Sequence, residues 1–591
     1  MKKYLSIALA VLCLAACAEK IDDDSSVQNG EVESSYIAIN LSATEPSTRA
    51  DGGTYQEGAA EERAVETAYF FFFDANGNAF HVNVDEGAAN GPGGTNNYLQ
   101  ATINSTTGKD MNNVSDIKNV VLLLKTYKGI YPAQIVATLN WVPTETTYSL
   151  DQLCKELAYV RNNDTGELKG KFVMSNAVYA KDGSPATAVY ATPLTINDIY
   201  TDEASAKAHP ITIYVERAAA KVTVTTDNKD KFNLNKPVTI GSSNIDVYAE
   251  VLGWELYNDY QQSYLIKNID LTWTNDALGF TWNDSPWYRC YWANSYNGEF
   301  FNNNFQYEYD PVIDGHKTKY GYGFGDKTDV TSGTFAENTY TYCGENTGRE
   351  SSDRTKIILK AQLQDKSGNP VELARWYTIE YLGENDLRTA VANTLKYTLY
   401  YKDGDNYVGL GPYDLQCVSP IYDNNGTITN GAPANIEPYE VFFQLSDTGK
   451  AKTWYKNNSG SKHPMSTDVS TDPNGVSATN TYLAENVEPA VLYKSGQTYY
   501  YFDVQHLGNL TDSEEQTGEY GIVRNHIYAI NINSIGGYGS PIYIGTSNIV
   551  TPPEYPEDPE GAETSYVSAE VRILSWRIVS QGVDIQPTPQ P

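Results

Sequence analysis

YVSAEVRILSWRIVSQGVDI, residues 566–585, is a strand pattern at the far end of the chain. Val567, Ala569, Val571 and Ile573 fall at every second position, with Ser568, Glu570 and Arg572 between them, so an extended backbone sends the two sets to opposite faces. At Leu574 the phase changes. Leu574, Trp576 and Ile578 continue the apolar spacing on the other parity, which predicts a bulge or a hand-over between sheets. Upstream, TPPEYPEDPEGAE (551–563) holds five acidic residues and four prolines, so it cannot enter a sheet interior and reads as an extended spacer. An apolar strand on such a tether needs a sheet to join. It can fold back into its own domain, as terminal strands often do, or it can complete the sheet of another molecule.

The rest of the composition is strand and turn chemistry. Tyrosine (47) far outnumbers phenylalanine (16), glycine stands at 45 and methionine at only 4, with Thr and Val throughout. A chain of 591 residues has room for several cores. The expected fold is all-β with a few short helices, arranged as two β-sandwich-like domains plus the C-terminal strand. With 42 basic against 74 acidic residues the formal charge is -32, which argues against nucleic acid and against direct docking on anionic lipid.

The start, MKKYLSIALAVLCLAACAEK, places Lys2 and Lys3 before an apolar run too short to span a bilayer, the form of an export signal. Leu14-Ala15-Ala16-Cys17 looks like a bacterial lipoprotein box in which Cys17 receives lipid, and Asp22, Asp23 and Asp24 follow it. An ordinary secretory signal is the alternative.

Tyr36–Ser42 (YIAINLS) then alternates, with Ile37, Ile39 and Leu41 on one face, the same apolar comb as Val567 to Ile573. Behind it runs a polar, Gly-rich stretch, ATEPSTRADGGTYQEGAAEERA, containing Arg49-Ala50 and Arg63-Ala64. Exposed loops of this composition are where proteases nick. VETAYFFFF (65–73) and AFHVNV (79–84) flank the turn Asp74–Asn78 as a hairpin. The Asp/Asn spacing there hints at calcium, but the closing glutamate and the glycine of a calcium loop are missing, so turn chemistry is expected, as at Asp365–Asn369 and Asp423–Gly426. SLDQLCKELAYV (149–160) is the one convincing helix, with Leu150, Leu153, Leu157 and Val160 on one side. ITIYVERAAAKVTVTT (211–226) reads as two strand halves meeting at Glu216–Lys221, a candidate joint between domains. Val247 to Leu265 and Gly279 to Cys343 are thick with Trp and Tyr, which suits half-exposed strands and long loops or a glycan-binding surface.

Catalytic signatures do not emerge. The six histidines sit in no ligand spacing, and there is no nucleophile elbow, Walker loop or dinucleotide fingerprint, so neither an enzyme, a metal nor a cofactor is expected. A secreted hydrolase and a surface glycan-binding lipoprotein remain as alternatives. Cys154, Cys290, Cys343 and Cys417 are widely separated and leave their disulfide state open.

Four stretches together resemble a known family. They are the lipid box with its following strand and Ser47-Thr48-Arg49-Ala50; YVERAAAKV (214–222); VRNHIYAINI (523–532); and VRILSWRI (571–578). In order and spacing they are similar to the shaft subunits of the short (minor) fimbriae of Porphyromonas and Bacteroides relatives, within the fimbrillin class of type V pili. The resemblance implies a structural pilin that supports adhesion and biofilm formation. Its precursor would be an outer-membrane lipoprotein modified at Cys17 and cut by an arginine-specific protease between Arg49 and Ala50. The strand bearing Ile37, Ile39 and Leu41 would then leave, and Val567, Ala569, Val571, Ile573, Leu574, Trp576 and Ile578 of the next subunit would take its place, giving a head-to-tail homopolymer with accessory anchor and tip subunits. The expected division is a signal peptide (1–16), a lipidated propeptide with the first strand (17–49), an N-terminal β domain (50–217), a C-terminal β domain (218–550) and the acidic linker with its donor strand (551–591).

Overall fold

The computed structural model describes residues 32–42, 62, 64–84, 96–101, 120–160, 172–181, 188–226, 231–240, 243–270, 287–289, 292–298, 307–310, 315–318, 340–348, 353–421, 427–437, 440–506, 518–541 and 566–575. Its first strands are β1 (Val32–Ser42), β2 (Ala68–Phe73), β3 (Val120–Tyr127), β4 (Gln134–Leu139), β5 (Met174–Asn176) and β6 (Ile211–Arg217). They lie in one sheet in the order β2-β4-β5-β6-β1-β3. Ile37, Ile39 and Leu41 share a core with Phe70, Phe72, Leu122, Leu124, Ile135 and Ile213. Phe71 and Phe73 face the other way, into a second cluster with Val136, Tyr148, Leu153 and Leu265. The uninterrupted run of phenylalanines in β2 is thus explained by burial on both faces.

The turn after β2 behaves as its composition requires. Asp74 Oδ1 accepts the backbone N–H groups of Asn76 and Asn78, both at 2.8 Å, and the same device recurs around Asp365. The Asn369 side-chain amide, then its backbone N–H, hold the Asp365 carboxyl below its usual range. The turn at 423–426 lies outside the described residues.

Beyond the joint come β7 (Ala219–Thr225), β8 (Ser243–Tyr257), β9 (Tyr340–Gly344), β10 (Lys356–Gln364), β11 (Gln497–Asp503), β12 (His526–Gly536) and β13 (Tyr566–Ser575). One sheet runs β9-β7-β12-β13, and a second places β8, β10 and β11 side by side after Lys231–Ile240. Val222, Val224, Tyr528, Ile530 and Ile532 of the first share a core with Val247, Val251, Leu359 and Leu363 of the second. The fold is therefore built from strands in several sheets, with short helices.

β10 and β11 pair directly, Lys356 opposite Asp503 and Gln362 opposite Gln497, although residues 373–493 intervene. That intervening stretch has its own apolar core, including Trp376, Leu387, Val391, Phe443, Trp454 and Leu483. Among the described residues the α-helices of more than one turn are α1 (Leu150–Lys155), α2 (Glu203–Ala208), α3 (Gly383–Leu395) and α4 (Val476–Asn486). The expected helix over 149–160 starts as read, with a capping box between Ser149 and Gln152, but it stops at Lys155. Leu157–Tyr159 is instead a strand paired with Gln262–Tyr264. α3 and α4 correct the expectation of a single convincing helix. Among the described residues no helix is long and apolar enough to cross a membrane.

Candidate functional site

β1 is an interior strand made from the beginning of the chain. It runs antiparallel to β3 from Val32↔Tyr127 to Ile39↔Val120, and parallel to β6 from Ile39↔Ile211 to Ser42↔Tyr214. Alternation buries Ile37 and Ile39 completely, and Leu41 to 3% exposure. Two further ties hold the strand. Tyr36 exchanges backbone hydrogen bonds with Tyr200, at 2.7 and 2.9 Å. The Glu33 carboxylate accepts from the Tyr131 hydroxyl at 2.5 Å and from the Gly129 N–H at 3.0 Å, and these bonds, Tyr131 first, hold its pKa below the usual range. Among the described residues, β3 has no ladder apart from the one with β1, only a bridge between Asn83 and Lys125. β1 is thus what closes the sheet between β6 and β3.

The C-terminal strand, whose destination the sequence leaves open, is paired within its own chain. β13 lies antiparallel on β12, with Val567, Ala569, Val571 and Ile573 opposite Ile535, Ile532, Ile530 and Tyr528, four residues whose side chains belong to the core. Among the described residues it is an edge strand, with β12 on one side. The irregularity expected at Leu574 is elsewhere: Leu574 and Ser575 continue the ladder opposite Ile527 and His526, while the register slips between Ile532 and Ser534 of β12. β1 and β13 therefore occupy different sheets. Cys17, Arg49, Ala50, Trp576 and Ile578 lie outside the described residues, as do Cys290 and most of the aromatic stretch 271–339; Cys154 and Cys417 are free thiols.

Between these two strands sits a buried polar joint. β6 and β7 are separated by Ala218 alone, and charged side chains converge around it. Arg217 Nη1 donates to Asn525 Oδ1 at 3.2 Å, and the Asn525 N–H donates to the Ala219 carbonyl at 2.7 Å. Asn525 adopts a left-handed backbone (φ 58°), which Asn tolerates better than most residues. Lys267 Nζ meets Glu216 Oε2 at 3.1 Å and Arg524 meets Glu345 Oε2 at 3.2 Å, all four side chains buried. YVERAAAKV and VRNHIYAINI, quoted separately above, are thus two sides of one joint. Its signal in the sequence is charge inside apolar strands, since such residues are seldom buried unless paired.

Glu62 belongs to the same joint, and here the sequence reading is corrected. The sequence places it at the tail of a polar, Gly-rich stretch of the kind that lies in solvent, yet it is wholly buried. Lys221 Nζ contacts its Oε1 at 2.7 Å, the Tyr342 hydroxyl donates to the same oxygen, and Arg217 Nε donates to its carbonyl at 2.8 Å. Nearby, His506 Nδ1 lies 2.8 Å from the Tyr528 hydroxyl, and burial, then the Lys267 charge, push its pKa down to about 3.

Residues 491–582 match a family described as major fimbrial subunit protein type IV, fimbrillin, C-terminal. The match takes in β11, β12 and β13, which supports the fimbrillin class and a fimbrial subunit. Solved structures with a similar course include a fimbrilin from Porphyromonas gingivalis W83, 12% identical over 92% of this chain and 98% of that one, at a TM-score of 0.32. A tip fimbrial protein from Porphyromonas gingivalis with a C-terminal truncation is 9% identical over 91% of this chain and 99% of its own, at 0.27. A fimbrial assembly protein from Parabacteroides distasonis ATCC 8503 is 12% identical over 57% of this chain and 88% of its own, at 0.26. At such scores none of these likenesses supports a functional conclusion. No curated protein matches.

Proposed function

We propose that this fimbrillin-class chain is a shaft subunit of a surface fimbria and polymerises head to tail by strand exchange. The precursor carries lipid on Cys17 at the outer membrane, and an arginine-specific protease cuts between Arg49 and Ala50. β1 then has no covalent link to the rest of the subunit. When it leaves, the place between β3 and β6 opens, and residues 567–578 of a neighbour fill it. One such contact repeated head to tail does not close on itself, so it builds a filament, ended by anchor and tip subunits. The filament serves adhesion and biofilm formation.

The observation that carries this is the position of β1: an interior strand whose apolar comb plugs a core, followed in the sequence by a polar, Gly-rich stretch containing Arg49. Exchange requires β13 to leave β12, where its ladder has ten register partners along one side. The place of β1 offers eight on β3 and four on β6, so backbone bonding nearly balances. Filling an empty apolar slot decides the direction, at about 1.5–3 kcal/mol for each large side chain buried. The test is to cut the purified precursor after Arg49 and look for SDS-resistant ladders. A cut chain that has lost β1 and stays monomeric under all conditions refutes the proposal.

A further inference from the structure

The polar stretch that follows β1 in the sequence offers two arginines followed by alanine, Arg49 and Arg63. A protease needs its substrate drawn out through a cleft for several residues on either side of the cut, so fixed neighbours protect a bond. Arg63 lies outside the described residues, but its neighbours do not: Glu62 is wholly buried, and Ala64 and Val65 are buried as well. Glu62 is gripped from three strands, by Arg217 on β6, Lys221 on β7 and Tyr342 on β9. Phe172 packs edge-on against the Tyr342 ring at 4.6 Å, and Lys221 sits over the Tyr340 ring at 4.1 Å, so the gripping groups are themselves braced.

We infer that Glu62 is a positioning residue that sets the downstream end of the removable segment: clamped into the joint, it withholds the Arg63–Ala64 bond from an arginine-specific protease and confines the activating cut to Arg49. This rests on the proposed activation by cleavage and adds why one of two similar sites is used. The clamp also separates what leaves from what stays. A cut after Arg63 would release Glu62 with the departing segment and deprive Lys221 and Tyr342 of their shared carboxylate, in a place where a lone buried charge is strongly unfavourable.

The experiment uses the folded precursor, an arginine-specific protease, and N-terminal sequencing with intact mass as readout. Wild type should give Ala50 as the new N-terminus. The Arg49→Lys precursor keeps every clamp contact and should be cut after Arg63 on the order of a hundredfold more slowly than wild type after Arg49, because cleavage there waits on local opening. Adding Glu62→Ala to Arg49→Lys should restore cutting, with Ala64 as the N-terminus. Should that double variant not fold, Arg49→Lys with Tyr342→Phe, which removes one donor, should show a smaller acceleration of the same cut. The inference is overturned if folded Arg49→Lys is cut after Arg63 as fast as wild type after Arg49, if wild type is not cut after Arg49, or if the folded double variant stays intact at Arg63. Clean cutting after Arg49 without polymerisation would refute the exchange proposal and support this inference.

Discussion

Replacing Ile39 with alanine should loosen β1 without changing the arginine-bearing sequence that follows it. Ile39 is where the two ladders overlap, opposite Val120 on β3 and Ile211 on β6, and its side chain is completely buried among Leu122, Ile213 and their neighbours. Truncating an isoleucine in such a core costs about 2–5 kcal/mol, part lost transfer energy and part cavity. In the uncut precursor that loss falls on the stability of the whole sheet. After a cut behind Arg49 it falls on the affinity of β1 for its place, a weakening of roughly thirty- to a few-thousand-fold at about 1.4 kcal/mol per factor of ten. The assay holds cut protein at a fixed concentration and follows the released N-terminal fragment by size exclusion and mass spectrometry. Ile39→Ala should lose the fragment faster and polymerise with a shorter lag. Ser34→Ala, at an exposed position of the same strand, should behave within about 0.5 kcal/mol of wild type. Release of the fragment at the wild-type rate from folded, cut Ile39→Ala would mean that these pockets do not hold β1, and the proposed exchange would lose its driving force.

Stopping the chain at Ser565 should give a folded monomer that fails to form ladders after cleavage, since β13 is removed while β12 keeps its pairing to β7; ladders on a denaturing gel would contradict this. Arg524→Met should destabilise the precursor by about 3–5 kcal/mol in urea titrations, because Glu345 is left charged in a site from which water is excluded. Acidification should weaken the fold between about pH 6.5 and 3, since the unfolded chain binds a proton that buried His506 takes up only near pH 3; His506→Gln should shrink the difference between urea midpoints at pH 4 and 7. Gly539→Ala should cost more than about 1 kcal/mol in thermal unfolding, because the backbone there has φ 73° and an added Cβ would stand 2.6 Å from the Tyr499 carbonyl oxygen.

What could be read beforehand was whatever the chain displays locally. The comb of Ile37, Ile39 and Leu41 is visible as alternation, and the Asp74 turn as an acceptor two and four residues before the N–H groups it binds. The joint at Glu216–Lys221 shows as charge and alanine interrupting two strands. α3 has a local signal of its own, Leu387, Val391 and Leu395 at four-residue spacing. α4 carried little: VSATNTYLAEN is rich in Thr, Asn and Ser, and its helix depends on seating Thr479 and Leu483 in the core. Non-local choices were not legible. Nothing in 566–575 says that β12 will receive it, and nothing around Glu62 announces that Arg217, Lys221 and Tyr342 will be delivered to it from far along the chain.

With Ala218 as the sole residue between β6 and β7, the two sheets are coupled in series without slack. The place of β1 is bonded to β6, β6 runs on into β7, and β7 pairs with β12 from Lys221↔Ile527 to Thr225↔Asn531. Tension applied at one end of a subunit would thus be borne as shear by rows of backbone bonds acting together, with buried ion pairs bracing the one place where the chain could flex. In the proposed filament, where β13 has left β12 for a neighbour, a pull on the strand filling the place of β1 would cross this stiff joint to reach β12 before it met the acidic tether, so the body of each copy would resist stretching better than the links between copies.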